Sequence, residues 1–160
     1  VITNNNGDGI ILTSSLNSTI TGNTITYNSV SGIYLSSSSN VHIIGNVITN
    51  NNGDGIILTS SLNSNTITNN TIKNNNGNGL HLSSSQNNII ADNTFTKNYD
   101  NCIDLHNAKS NTIMNNTITN NNNAGVYLSF SSNNNIIKEN TIIDNTEEGI
   151  YLLDSINNKN

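Results

Sequence analysis

The stretch VITNNNGDGIILTSSLNS at residues 1–18 recurs letter for letter at residues 47–64, and imperfect copies fill the rest of the chain. The copies open at Val1, Thr24, Val47, Thr71, Thr94, Thr117 and Thr141, a period of 23 or 24 residues. Self-similarity at such a period is the mark of a stacked-repeat architecture. Within each copy a leucine (Leu12, Leu35, Leu58, Leu82, Leu105, Leu128, Leu152) follows by two residues an aliphatic one (Ile10, Ile33, Ile56, Leu80, Ile103, Val126, Ile150). A second apolar series runs Ile2, Ile25, Ile48, Ile72, Phe95, Ile118, Ile142, and another runs Ile20, Ile43, Ile67, Ile90, Ile113, Ile137.

Each copy therefore holds three short patches, GIxL, xIx and TIT, separated by Asn, Ser and Gly. Alternation within a patch predicts a strand with one buried face. So short a strand cannot bury that face alone, whereas copy stacked on copy pairs each strand in parallel with its equivalent at ~4.8 Å and turns the Ile and Leu series into internal ladders. The expected fold is all-β: a right-handed, single-stranded parallel β-helix of about seven turns, three strands per turn, running over residues 1–160 as one repeat domain.

Composition agrees. Hydrophobic residues make up 32% and aromatics 4%, too few for a wide globular core, while Asn makes up a quarter of the chain. Only 9% of residues are charged, so self-repulsion does not hold the chain open. The net charge of −5, with five lysines and no arginine, argues against nucleic acid as a partner. No apolar run approaches the roughly 20 residues of a membrane span. The lone Cys102 cannot form an internal disulfide, and a small buried thiol in place of Gly is its expected state.

Two Asn series mark the corners of the coil: Asn5, Asn28, Asn51, Asn75, Asn98, Asn121, Asn145, and Asn23, Asn46, Asn70, Asn93, Asn116, Asn140. Asn tolerates the left-handed conformation of a sharp corner, and its amide can bond to the Asn above and below. The series Gly9, Gly32, Gly55, Gly79, Gly125, Gly149 reads as a turn leading into the GIxL strand.

The GIxLxxSxxN and NTIxxN patterns resemble the right-handed parallel β-helix repeats of the NosD-like family, named for a periplasmic copper-binding protein. Similar repeats occur in carbohydrate-active β-helix enzymes and in surface proteins of methanogenic archaea. The resemblance covers the whole chain at the level of the repeat and implies the fold; no copper-ligand motif matches residue by residue.

Function must sit on outward positions. On the GIxL face these are Ile11, Tyr34, Ile57, His81, Asp104, Tyr127 and Tyr151. The register places His81 one rung from Asp104, with His106 two residues beyond. Two imidazoles and a carboxylate so placed are a candidate metal set (His81, Asp104, His106) or acid and base groups for a sugar; the alternative is a polar pair on a solvated sheet. Tyr34, His81, Asp104, Tyr127 and Tyr151 form a candidate carbohydrate-binding row. The remaining acids, among them Asp8, Asp54, Glu147 and Glu148, read as solvated corner charge. Thr24, Thr26, Thr94, Thr96, Thr117 and Thr119 form two ranks like those of ice-binding β-helices, interrupted by Lys73 and ended by Ile143. Sequons at Asn17, Asn69 and Asn115 are candidate glycosylation sites.

The turns keep their length, Arg is absent and no loop grows out of the coil, so no enzyme and no cofactor is expected. Neither end shows a cap: Val1 opens on the repeat without a leader segment, and Asn160 stops before the xIx patch of the last copy. Open ends invite self-association unless flanking sequence covers them. The leading expectation is an extracellular or cell-surface scaffold that assembles end to end, as a filament, surface layer or adhesin stalk. A carbohydrate-binding or carbohydrate-modifying β-helix and an ice-binding protein are the alternatives.

Overall fold

β-Branched Ile, Val and Thr favour extended backbone, and each patch is bounded by residues that favour turns, so strands form and stop within three or four residues. The computed structural model describes all residues, Val1–Asn160. Its strands fall into three parallel sheets. The TIT sheet holds Ile2–Thr3, Thr24–Thr26, Val47–Thr49, Thr71–Lys73, Thr94–Thr96, Thr117–Thr119 and Thr141–Ile143. The GIxL sheet holds Ile10–Thr13, Ile33–Ser36, Ile56–Thr59, Leu80–Ser83, Ile103–His106, Val126–Ser129 and Ile150–Leu152. The xIx sheet holds Thr19–Thr21, His42–Ile44, Thr66–Thr68, Ile89–Ala91, Thr112–Met114 and Ile136–Lys138.

Every strand pairs with its counterpart one turn away in the expected register, Ile25 with Ile48, Leu58 with Leu82, Ile90 with Ile113. The chain is thus a right-handed β-helix of about seven turns. Its core is narrow and continuous: Ile25, Ile48, Ile72, Phe95 and Ile118 are fully buried from one side, Leu35, Leu58, Leu82, Leu105 and Leu128 from another. There are no helices, hence none long and apolar enough to cross a membrane.

Both Asn series form ladders. Asn28 Nδ2 donates to Asn51 Oδ1 at 3.0 Å, Asn51 to Asn75 at 3.0 Å and Asn75 to Asn98 at 3.1 Å. In the second series Asn70 Nδ2 donates to Asn93 Oδ1 at 3.0 Å and also to the Ile43 carbonyl at 2.9 Å. Each ladder amide thereby serves backbone groups that the short strands leave unpaired at the corner, where a buried orphan would be costly.

The conformational part of the corner expectation needs correction. The left-handed residue is the one before the ladder Asn: Asn50 (φ 56), Asn74 (φ 54) and Lys97 (φ 56) in one column, Asn69 (φ 57), Asp92 (φ 57) and Asn115 (φ 55) in another. The kink at that exposed or half-buried residue turns the following Asn inward. The glycines also act through space more than through φ. A Cβ on Gly55 would lie 2.5 Å from Ile72 Cγ2 and 2.6 Å from the Gly79 carbonyl, and Gly55 is not in the left-handed region.

Two further ladders complete the coil. Asn65, Asn88, Asn111 and Asn135 bond in sequence at 2.9, 3.0 and 3.2 Å. At the remaining corner, serine hydroxyls accept from the backbone of the previous turn, Ser38 N to Ser61 Oγ at 3.2 Å and Ser61 N to Ser85 Oγ at 3.0 Å.

Candidate functional site on the GIxL face

The outward column of the GIxL sheet is built as the register requires. Ile57, His81, Asp104, Tyr127 and Tyr151 are successive rung neighbours. His81 Nδ1 lies 3.6 Å from Asp104 Oδ2. It also lies 3.9 Å from Oδ2 of Asp54, a residue that sequence reading left among the solvated corner acids. Asp54 approaches diagonally from the previous turn, across Gly77, where any Cβ would collide with its Oδ1. That oxygen accepts from the Asn78 backbone N at 2.6 Å and from Asn78 Nδ2 at 3.2 Å. The signal in the sequence was the coincidence of Asp54, a side-chain-free Gly77 in the next turn and His81 just beyond it.

Burial raises the Asp54 carboxyl above the usual carboxylate range; the Asn78 backbone bond, the His81 charge and the Asn78 amide oppose this, and Asp100 adds repulsion. Asp104 is raised likewise, first by burial, with His81 and His106 lowering it and Asp100 and Asp54 raising it. Asp104 Oδ1 is buried with no hydrogen-bond partner, which favours a proton there. Asp100 is held by its own donors, Asn101 N at 2.9 Å and Asn123 Nδ2 at 2.7 Å.

His106 shares the outward side with Asp104, but its ring lies against Phe130, centroid to centroid 4.2 Å. His81, Asp104 and His106 therefore do not converge, and no group of three or more His, Cys, Asp or Glu is arranged to hold a metal ion. Cys102 is fully buried among core side chains, and burial raises its thiol well above the ordinary range.

Beyond Asp104 the column becomes aromatic. The rings of Tyr127 and Tyr151 are tilted against each other at 5.4 Å. Beside them Asn101, Asn123, Ala124 and Glu147 complete an open depression of about 290 Å³. Tyr34 stands apart, separated from His81 by Ile57.

The other candidate positions are dispersed. On the TIT sheet Thr24, Thr94 and Thr117 are exposed, whereas Thr26, Thr96 and Thr119 are half-buried. Thr26 Oγ1 is closed off without a partner, Thr119 Oγ1 bonds to Thr96 Oγ1 at 3.4 Å, and Lys73 stands in the same rank. Asn17, Asn69 and Asn115 are all exposed left-handed corner residues.

A family model described as periplasmic copper-binding protein (NosD) matches residues 1–107, two thirds of the chain. The chain belongs to the NosD family. A right-handed β-helix model matches residues 62–160 of this NosD-family chain. The copper in the family's description finds no fitting donor set in this chain: His42, His81, His106 and Cys102 form no cluster, and His42 Nδ1 is engaged with Thr66 Oγ1 at 2.7 Å.

No curated protein matches the chain. Among solved structures, the periplasmic alginate epimerase AlgG superposes with TM-score 0.75 at 19% identity, over 96% of this chain and 44% of that one. ORF18 of Geobacillus virus E2 superposes with TM-score 0.75 at 16% identity, over 94% of this chain and 35% of that one. The A-module of the mannuronan C-5 epimerase AlgE4 from Azotobacter vinelandii gives 0.69 at 14%, over 95% and 50%. At these identities the likeness is one of fold, and the NosD-family chain spans half or less of each neighbour's length.

Proposed function

We propose that this chain is a non-cytoplasmic, polysaccharide-binding β-helix in which a glycan lies along the outer face of the GIxL sheet. The observation that carries this reading is the continuity of one column: the His81–Asp104 rung passes directly into the Tyr127–Tyr151 pair. Tyr rings offer a flat apolar face to a sugar ring and a hydroxyl to its substituents, with little side-chain entropy to lose. Asn101, Asn123 and Glu147 supply donors and acceptors at the rim, as a ligand site requires. The alginate and mannuronan epimerases of the same fold act on polysaccharides, and the NosD family is described as periplasmic, which supports both the ligand class and the location.

The reading is of binding and not of turnover. No lysine pairs with the carboxylates of this face, and the depression is open, so little would exclude water from a reacting sugar.

Affinity electrophoresis through gels containing soluble neutral, anionic and cationic polysaccharides tests it. Retardation by at least one polymer is expected, and Tyr127→Ala combined with Tyr151→Ala should weaken it roughly tenfold or more. Unretarded migration in every gel would sink the proposal.

A second reading, a structural rod at the cell surface, draws on the unbroken register and on ladders at every corner, which stiffen the coil along its length. Electron microscopy of the concentrated protein should then show ordered fibres or layers, and monodisperse single particles would count against it.

A further inference from the structure

Charge on the proposed binding face is one-sided. Asp100 lies close enough to both Asp54 and Asp104 for its charge to raise their proton affinity, and Glu147 lines the depression beside Tyr127 and Tyr151. The ion pairs of the molecule are those of His81 with Asp54 and Asp104, so no lysine neutralises this group. The lysines sit elsewhere: Lys73 in the TIT sheet, Lys138 in the xIx sheet, Lys97 and Lys109 at corners, and Lys159 bridged to Ile136.

We infer that the glycan held on this face is cationic, a polymer of amino sugars, and not a polyuronate of the kind named for the epimerases of the same fold. The inference rests on the glycan-binding reading above and specifies its ligand. A polyuronate would bring carboxylates against Asp100 and Glu147, neither of which is paired with a cation, whereas an ammonium substituent supplies the missing countercharge. The aromatic pair acts in the same direction, because the negative face of a Tyr ring attracts a cation as well as the apolar face of a sugar. Glu147, exposed at the rim, receives the ammonium, while Tyr127 and Tyr151 carry the ring.

Isothermal titration with matched oligomers of β-linked glucosamine, N-acetylglucosamine and a hexuronate, at mildly acidic pH and low salt, tests the inference. The glucosamine oligomer should bind about tenfold more tightly than its acetylated counterpart, the hexuronate most weakly, with the preference fading as salt is added. Glu147→Gln and Asp100→Asn should each erase several-fold of that preference, lowering affinity for the glucosamine oligomer by more than for its acetylated counterpart. Glu139→Gln removes the same charge at another corner and should change nothing. Equal or tighter binding of the acetylated or uronate oligomer, still dependent on Tyr127, would overturn the charge inference and leave the glycan reading standing. An equal effect of Glu139→Gln would overturn it too, by showing a general attraction of polycations to an acidic chain. Binding by none of the oligomers would remove both.

Discussion

Asp54 and Asp104 approach one imidazole nitrogen from neighbouring turns: the Nδ1 of His81 lies 3.9 Å from the first carboxylate and 3.6 Å from the second. Two acids held over a sheet by burial, with one imidazole between them, make the site's charge state a function of pH.

Both carboxyls are raised above the ordinary value of 3.8. A carboxyl with a raised folded-state pKa binds more protons folded than unfolded. The fold is then penalised above its folded pKa, and acidification relieves the penalty, fully so below the unfolded value. The urea midpoint of the native chain should therefore rise on acidification relative to that of an Asp54→Asn, Asp104→Asn double variant. At neutral pH the double variant should be at least as stable as the native protein. A midpoint difference that does not change with pH would show that the two acids are not destabilised in the fold.

The corners separate a residue that kinks from a residue that bonds. Asn70 accepts from Asn46 and donates to Ile43 O and Asn93 Oδ1, all within 3.1 Å, so Asn70→Ala strands several buried groups. A loss of about 3 kcal/mol or more is expected from urea unfolding. Asn69 is exposed at φ 57, and Asn69→Gly should cost less than about 1 kcal/mol. Equal costs at the two positions would show that the ladder is not the stabilising element.

Glycines of the repeat should differ in the same way. Gly55→Ala drives a methyl into Ile72 and the next turn's backbone and should cost about 1–3 kcal/mol. Gly7 has nothing within 4 Å of its missing Cβ and no positive φ, so Gly7→Ala should be neutral or slightly stabilising. Comparable losses in the two variants would mean that the requirement is conformational after all.

The turns, strand register and core ladders were legible because one chemical demand, an inward Ile or Leu, repeats at the same place in every turn. The ladder of Asn65, Asn88, Asn111 and Asn135 was not, because Ser18 and Val41 hold its first positions and break the pattern on the page. Asp54 was misplaced for a geometric reason. Rung pairing relates equal positions of successive turns, whereas a carboxylate reaching diagonally over a glycine relates unequal ones. The Tyr127 and Tyr151 rings were foreseen on the outward column, but the depression beside them also needs Asn101, Asn123 and Glu147 from the preceding corner.

The absence of tryptophan leaves five tyrosines, at positions 27, 34, 99, 127 and 151, as aromatic reporters spread over the coil. Tyrosine ring resonances followed by NMR during separate titrations with glucosamine, N-acetylglucosamine and hexuronate oligomers test the central claim most directly. Saturable shifts confined to Tyr127 and Tyr151 are predicted; shifts centred on Tyr27 or Tyr99, or none at any ring with any of the oligomers, would contradict a glycan site on the GIxL face.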